Sequence, residues 1–245
     1  SASLDLHIKL DTGMHRLGFQ INDCDELLAS LKGFPGARVA SVFTHMAASD
    51  EPWHDDFSHA QITQFEQACD KLKRGLGYSF LMHMANSAAA LRFPRATMDM
   101  VRLGIGLYGV SPEKSLQGQL QHVSTFKSVV SQVKKLQKGQ TAGYSRAGVA
   151  LYDMEIAIVP LGYADGLNRR LGKGRGSLWV RGQLAPLFGN ISMDMCTLDV
   201  TGLQVTEGDE VIVFGPQKPV WELAADLETI PYEVLTSVSQ RVKRV

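Results

Sequence analysis

The sequence predicts two successive architectures: an α/β part over residues 1–115 that reads as part of a TIM-like (β/α) barrel, and a mainly antiparallel β domain over residues 116–245. Three observations carry this. The first half alternates short β-like runs with helical patterns, which is the grammar of βα units feeding a parallel sheet. Polar residues gather just past each strand run, where barrels of this kind place their chemistry. After about residue 115 the chain changes to short apolar runs broken by glycine and charge, the pattern of an antiparallel sheet.

In chain order, strand runs are expected at 6–10, 39–44, 79–84 and 100–105. Between the first two, Asp23 is placed to cap a helix over 24–32 that ends near Gly33. A second helix is expected over about 58–75, where Ile62, Phe65, Cys69 and Leu72 recur at helical spacing. Gln61, Glu66, Asp70 and Lys73 are assigned to its opposite, solvent-facing side. In the second half, strands are expected at 129–133, 156–159, 178–180, 196–200 and 211–214, with turns at 171–176 and at Arg181-Gly182 and a short helix at 221–228.

Composition narrows the function. Lysine plus arginine (25) balance aspartate plus glutamate (25), so no net field draws nucleic acid or an anionic membrane, and any anion site must be built locally. A small-molecule partner is expected, with no nucleic acid and no membrane. Cys24, Cys69 and Cys196 show no metal-ligand spacing, and one is left over in any disulfide scheme. That suits structural thiols in a reducing cytoplasm, with no metal. No apolar run has membrane length, and the opening Ser1-Ala2-Ser3-Leu4-Asp5 lacks the basic and apolar regions of a signal peptide. The chain starts almost directly with a strand, which raises the expectation of further sequence upstream.

Polar clusters follow each strand run: Lys9 to Arg16 after the first, Thr44 and His45 after the second, His83, Asn86 and Ser87 after the third, and Arg102 and Gly104 on the fourth. Through Lys9-Leu10-Asp11-Thr12-Gly13-Met14-His15-Arg16-Leu17-Gly18, Thr44-His45-Met46-Ala47, Ala85-Asn86-Ser87-Ala88-Ala89, Val101-Arg102-Leu103-Gly104-Ile105-Gly106-Leu107-Tyr108-Gly109, Gly162-Tyr163-Ala164-Asp165-Gly166, Ser192-Met193-Asp194-Met195 and Pro231-Tyr232-Glu233-Val234, the sequence resembles the alanine racemase family. Each piece is weak alone, but seven in the family's order over nearly the whole chain make a strong signal.

The resemblance implies a pyridoxal 5'-phosphate enzyme with an N-terminal barrel and a C-terminal β domain, working as a cytoplasmic homodimer whose active sites mix residues of both subunits. Racemising an amino acid means removing an unactivated Cα proton, which needs an electron sink such as the pyridoxal ring. By resemblance, Arg102 faces the pyridine nitrogen; a guanidinium keeps its own proton, leaves that nitrogen unprotonated and so moderates the sink. Tyr144 matches the catalytic tyrosine, one of two bases on opposite faces of Cα, with His45 as its partner and packed near the ring. Arg16 matches the arginine at the cofactor's phenolic oxygen and the substrate carboxylate, where a planar bidentate donor suits. Lys9 matches a position carbamylated in many members, and sequence leaves its modification open. Asn86, Ser87, Gly104, Ile105 and Tyr232 match the phosphate-binding set. Met193, Asp194 and Tyr163 match residues that a partner subunit supplies at the substrate entrance.

The family's Schiff-base lysine, its second base, lies upstream of the motif around Arg16, and no stretch of this chain matches its context. The chain is therefore expected to be the C-terminal part of the barrel plus the β domain, inactive by itself, from a parent that interconverts L- and D-alanine for peptidoglycan. Two other readings stay open: a non-catalytic binding or dimerisation module that keeps the fold, and a serine racemase of the same family.

Overall fold

A computed structural model of the chain describes residues 4–245, the side chain of Lys114 apart; Ser1, Ala2 and Ser3, read above against a signal peptide, lie outside the described residues. The chain divides into two compact units, up to Leu120 and from Gln121 onward.

The first unit is built from β1 (Leu4–Asp11), β2 (Phe19–Gln20), α1 (Cys24–Lys32), β3 (Ala37–Phe43), α2 (Asp55–Leu76), β4 (Leu81–His83) and α3 (Ser87–Arg92). Its strands form a parallel sheet in the order β2-β1-β3-β4. Parallel neighbours need a crossover, and α1 and α2 supply it. Ile8, Leu10, Val39 and Val42 pack against Leu27 and Leu28 of α1 and Ile62, Phe65, Cys69 and Leu72 of α2 in one core. His7, Lys9, Ser41, Phe43 and His83 share the other face, alternating with Ile8, Leu10 and Val42, while the register shift between Leu6 and His7 brings Val39 to the core side. Helix α2 starts with Asp55 and Asp56 and ends with Lys73 and Arg74, charges that complement its dipole. Gly77, at φ 76°, stops it by returning its N–H to the Lys73 carbonyl.

Three expectations fail here. Residues 100–105 do not form a fourth strand. This segment touches the preceding one through two backbone bonds, Asp99 N–H to the Met82 carbonyl and Arg102 N–H to the Ala85 carbonyl, then turns into a 3-10 helix, Ile105–Tyr108. The side-chain bonds of Arg102 and the backbone bonds of Gly104 and Gly106 to Ser87 hold it in this course. Asp23 does not cap α1 with its side chain but accepts the Gln20 N–H in the turn before it. Gln61 is buried, only 1 % exposed, and does not face solvent.

The second unit contains β5 (Phe126–Val129), β6 (Gln132–Leu136), β7 (Thr141–Ala142), β8 (Gly148–Val149), β9 (Met154–Val159), β10 (Ser177–Val180), β11 (Gln183–Pro186), β12 (Cys196–Asp199), β13 (Glu210–Phe214), α4 (Val220–Asp226) and α5 (Pro231–Ser237). Every strand pair in it is antiparallel, in sheets ordered β11-β10-β13-β5 and β12-β9-β6 and a hairpin β7-β8. Arg181 and Gly182 both take positive φ, 50° and 83°, the primed turn whose twist suits a two-residue hairpin between β10 and β11. The expected strand at 129–133 is two strands that meet at Val130 and Ser131, where the chain leaves one sheet for the other. Helix α5 has too little apolar periodicity to be read from sequence.

Candidate functional site

In the first unit the sheet's open face leads to a polar cluster at the C-terminal strand ends. Arg102 organises it. One guanidinium nitrogen lies 2.5 Å from His83 Nδ1; the other donates to the Thr44 carbonyl at 2.7 Å, with His45 Nδ1 at 3.3 Å and the Met84 carbonyl at 3.4 Å. These acceptors are uncharged, and among the described residues no ion pair includes Arg102. Phe43 lies beneath the guanidinium at 5.5 Å and stacks on the His83 ring at 5.1 Å, the two planes 1° apart. Burial, then the nearby Arg102 charge, then His7 push His83 down to about 4. Burial also lowers His45, followed by the charges of Arg102, Arg16 and Lys9, so both imidazoles are neutral acceptors at neutral pH.

Around Arg102 stand two supports. Gln61, reaching in from α2, accepts the Ala47 N–H at 3.0 Å and donates to Thr12 Oγ1 and the His45 carbonyl at 3.1 and 3.3 Å. Thr12 and Thr44 join their hydroxyls at 2.9 Å. One side chain thus ties α2 to the loops after β1 and β3. The loop after β1 is set by Asp11, whose Oδ1 accepts the N–H of Gly13 and of His15, both at 3.0 Å. The Gly13 bond is the largest influence holding that carboxyl below its ordinary value. Gly18, at φ 128°, lies so close to the backbone of Leu10 and Asp11 that no side chain fits there. Arg16 is exposed on this loop, and Lys9 sits half-buried, 6.0 Å over the Phe43 ring.

After β4, Asn86 caps α3 by accepting the Ala89 N–H at 2.9 Å and the Ser49 hydroxyl at the same distance. Ser87 Oγ accepts the backbone N–H of Gly104 at 2.9 Å and of Gly106 at 3.3 Å. Asn86, Ser87, Gly104 and Ile105 are thereby gathered at one strand end.

The second unit holds the other expected residues. Tyr144 projects from the turn between β7 and β8 and is 70 % exposed. Gly143, Ser145 and Arg146 around it have φ of 74°, 59° and 50°, a concentration of left-handed backbone in which the two non-glycine residues carry strain. Asn190 Nδ2 donates to the Tyr144 carbonyl at 3.0 Å, and Arg146 Nε to Thr141 at 3.1 Å, which fix the turn. Tyr163 and Met193 sit on two loops laced together by Tyr163 N–H to the Ser192 carbonyl and Ala164 N–H to the Met193 carbonyl. A side chain at Gly162 would overlap the Met193 carbonyl. Arg241 clips both loops, donating to Asp165 at 2.7 Å and Asp194 at 2.6 Å. Burial alone would raise Asp165, but the Arg241 bond and the Gly162 N–H outweigh it and the carboxyl is lowered. Tyr232 opens α5 and is half-exposed.

Comparison with known proteins bears on this arrangement directly. The family profile "Alanine racemase, C-terminal domain" matches residues 123–245, and "Alanine racemase, N-terminal domain" matches residues 1–112. This chain belongs to the alanine racemase family. It is 39 % identical over 262 residues to the alanine racemase of Desulfosudis oleivorans, covering 100 % of this chain and 66 % of that relative. The crystal structure of alanine racemase from Streptomyces lavendulae superposes with a TM-score of 0.92 at 31 % identity, over 100 % of this chain and 66 % of that one. The Bartonella henselae enzyme, solved with covalently bound pyridoxal phosphate, superposes with a TM-score of 0.88 at 29 % identity, over 98 % of this chain and 66 % of that one. The chain thus spans just under two thirds of the length of the proteins it matches, and the family fold of barrel and β domain accounts for both units.

Three residues that hold the described side chains in place were given no role by the sequence reading. His83 is the direct partner of Arg102, and its place one strand end away was the available signal. Gln61 falls at positions 61, 65, 68, 69 and 72 of one buried stripe, a spacing that shows it on the apolar side. Arg241 had no local signal, because its partners are 76 and 47 residues away.

Proposed function

We propose that this chain provides most of the active site of a pyridoxal-phosphate-dependent racemase that interconverts L- and D-alanine. The observation that carries it is Arg102, a fixed cation at the strand ends whose acceptors are all neutral, in a chain of the alanine racemase family. When bound, the pyridoxal ring accepts the electron pair left as the Cα proton departs.

The chain's own residues divide the remaining work. Arg102 would stand at the ring nitrogen of the bound cofactor and, because a guanidinium keeps its proton, would leave that nitrogen neutral. Ser87 Oγ accepts the Gly104 and Gly106 amides, which leaves its own hydroxyl proton to donate to a phosphate dianion; Asn86 and Ile105 stand beside it in the proposed set. Tyr144 Oη takes or returns the proton on one face of Cα. Arg16 binds the substrate carboxylate, braced by Lys9, carbamylated or not. Tyr163, Met193 and Asp194 shape the entrance to a partner subunit's site in a cytoplasmic homodimer. The reading includes D-alanine for peptidoglycan as the product's use. The non-catalytic module and the serine racemase are less favoured, because the relatives matched over the whole chain are alanine racemases.

The test is Tyr144→Phe in the polypeptide that carries this chain. Hydrogen exchange at Cα, started separately from L- and D-alanine, is expected to fail from one enantiomer and persist from the other, with pyridoxal phosphate still bound by absorbance. Equal loss from both, or from neither, removes Tyr144 from the proposal.

A further inference from the structure

Tyr144 is 70 % exposed, and among the described residues its hydroxyl has no hydrogen-bond partner. Where the phenol stands is therefore set by the backbone that carries it. That backbone is weakly secured from within. The hairpin pairs only Thr141 with Val149 and Ala142 with Gly148, a ladder too short to hold a turn alone. Inside the turn, the Arg146 N–H reaches the Gly143 carbonyl at 3.2 Å and the Ala147 N–H the Tyr144 carbonyl at 3.3 Å. Ser145 and Arg146 meanwhile keep left-handed φ of 59° and 50°, which persists only where the surroundings impose it. Among the described residues a single hydrogen bond reaches residues 143–147 from outside the hairpin, and it is Asn190 Nδ2 to the Tyr144 carbonyl at 3.0 Å. A carbonyl can only accept, so the nitrogen of the Asn190 amide must face it. Asn190 is itself anchored through its neighbour. Gly189, at φ 67°, lies so close to the hairpin that a Cβ there would stand 3.0 Å from the Gly148 nitrogen, and its carbonyl accepts the Lys173 N–H at 2.7 Å.

We infer that Asn190 is a positioning residue for Tyr144: by donating to the Tyr144 carbonyl it fastens the left-handed turn to the body of the second unit and so fixes where the phenol is presented. The same segment runs on to Met193, whose carbonyl accepts the Ala164 N–H. The turn is thereby tied to the loop that carries Tyr163. Only what the phenol then does rests on the racemase reading; the bond belongs to the chain's own residues.

The test compares Asn190→Ala with Asn190→Asp, which keeps the size of the side chain but loses the donor, in the polypeptide that carries this chain. Without pyridoxal phosphate, amide exchange followed by NMR is expected to be about fivefold faster at Arg146 and Ala147 in both variants, the equilibrium worth of one neutral hydrogen bond, and unchanged in β9 and β12. With pyridoxal phosphate, Cα exchange is expected to fall about tenfold from the enantiomer that Tyr144→Phe silences, the cost of a slightly misplaced catalytic group, and to hold from the other. A general loosening of the fold would lower both alike. Unchanged exchange at Arg146 and Ala147 overturns the inference, as does a native-like Asn190→Asp, or an equal loss from both enantiomers where Tyr144→Phe is one-sided. Where neither variant folds, the native protein decides: Asn190 Nδ2 protons that exchange as fast as those of a free amide overturn the inference, and slower exchange supports it. The two readings separate. Loosened turn amides in a polypeptide whose Tyr144→Phe variant shows no one-sided loss sink the role of Tyr144 and leave the bond standing, whereas a one-sided Tyr144→Phe with Asn190→Asp unaffected sinks only this inference.

Discussion

Acidification should destabilise the first unit through His83, and the size of the effect follows from its surroundings. The ring is 6 % exposed and is held near 4 by burial and Arg102, against an ordinary value of 6.5. As pH falls through 6.5 the unfolded chain takes up a proton at this residue, while the folded chain does not until about 4. The stabilisation is therefore complete above 6.5, declines between 6.5 and 4, and is level below. At about 1.36 kcal/mol per pH unit, the whole loss is about 3 kcal/mol, of which about 2 kcal/mol is gone by pH ~5. Native-state hydrogen exchange at the amides of β1 and β3, corrected for intrinsic rates, reads the first unit directly. Carboxylates titrate in the same range, so the comparison is between the native protein and His83→Gln, whose stability should fall less steeply with acid by that amount. Parallel pH curves for the two proteins would refute the placement of His83 as a buried, neutral acceptor.

Three further outcomes are expected. Gln61→Leu leaves the Ala47 N–H, the His45 carbonyl and the Thr12 hydroxyl without their partner, and should cost about 2–4 kcal/mol in urea unfolding; a change under about 0.5 kcal/mol would mean that water replaces it. Asn86→Ala removes the cap of α3 and its bond to Ser49, and should cost about 1–2 kcal/mol while Asn86→Asp keeps most of it, checked by thermal unfolding of both. Arg102→Glu, which favours a protonated ring nitrogen, should slow racemisation and raise the share of transamination, measured as pyruvate formed per alanine racemised; an unchanged ratio would show that Arg102 does not face the ring.

Sequence alone determined the features set by neighbours a few residues apart. The helical period gave α1 and α2, the apolar runs gave most strands, and Arg181-Gly182 gave a hairpin turn, because backbone propensity and one-sided burial act locally. The loop after β1 was legible for the same reason, since Asp11 organises it within four residues. Tertiary structure decided the rest of the site. Residues 100–105 have the composition of a strand, yet they are held off the ladder by Arg102, whose acceptors come from 18 to 58 residues away. Gln61 is polar by type and buried by position, because three hydrogen bonds to the loops after β1 and β3 meet its amide. His83 meets Ser41, 42 residues earlier, across a parallel pair whose register no local pattern encodes. Hydrogen bonds of that range exist only once the strands have paired, so the sequence could supply the residues of the site while the fold chose their partners.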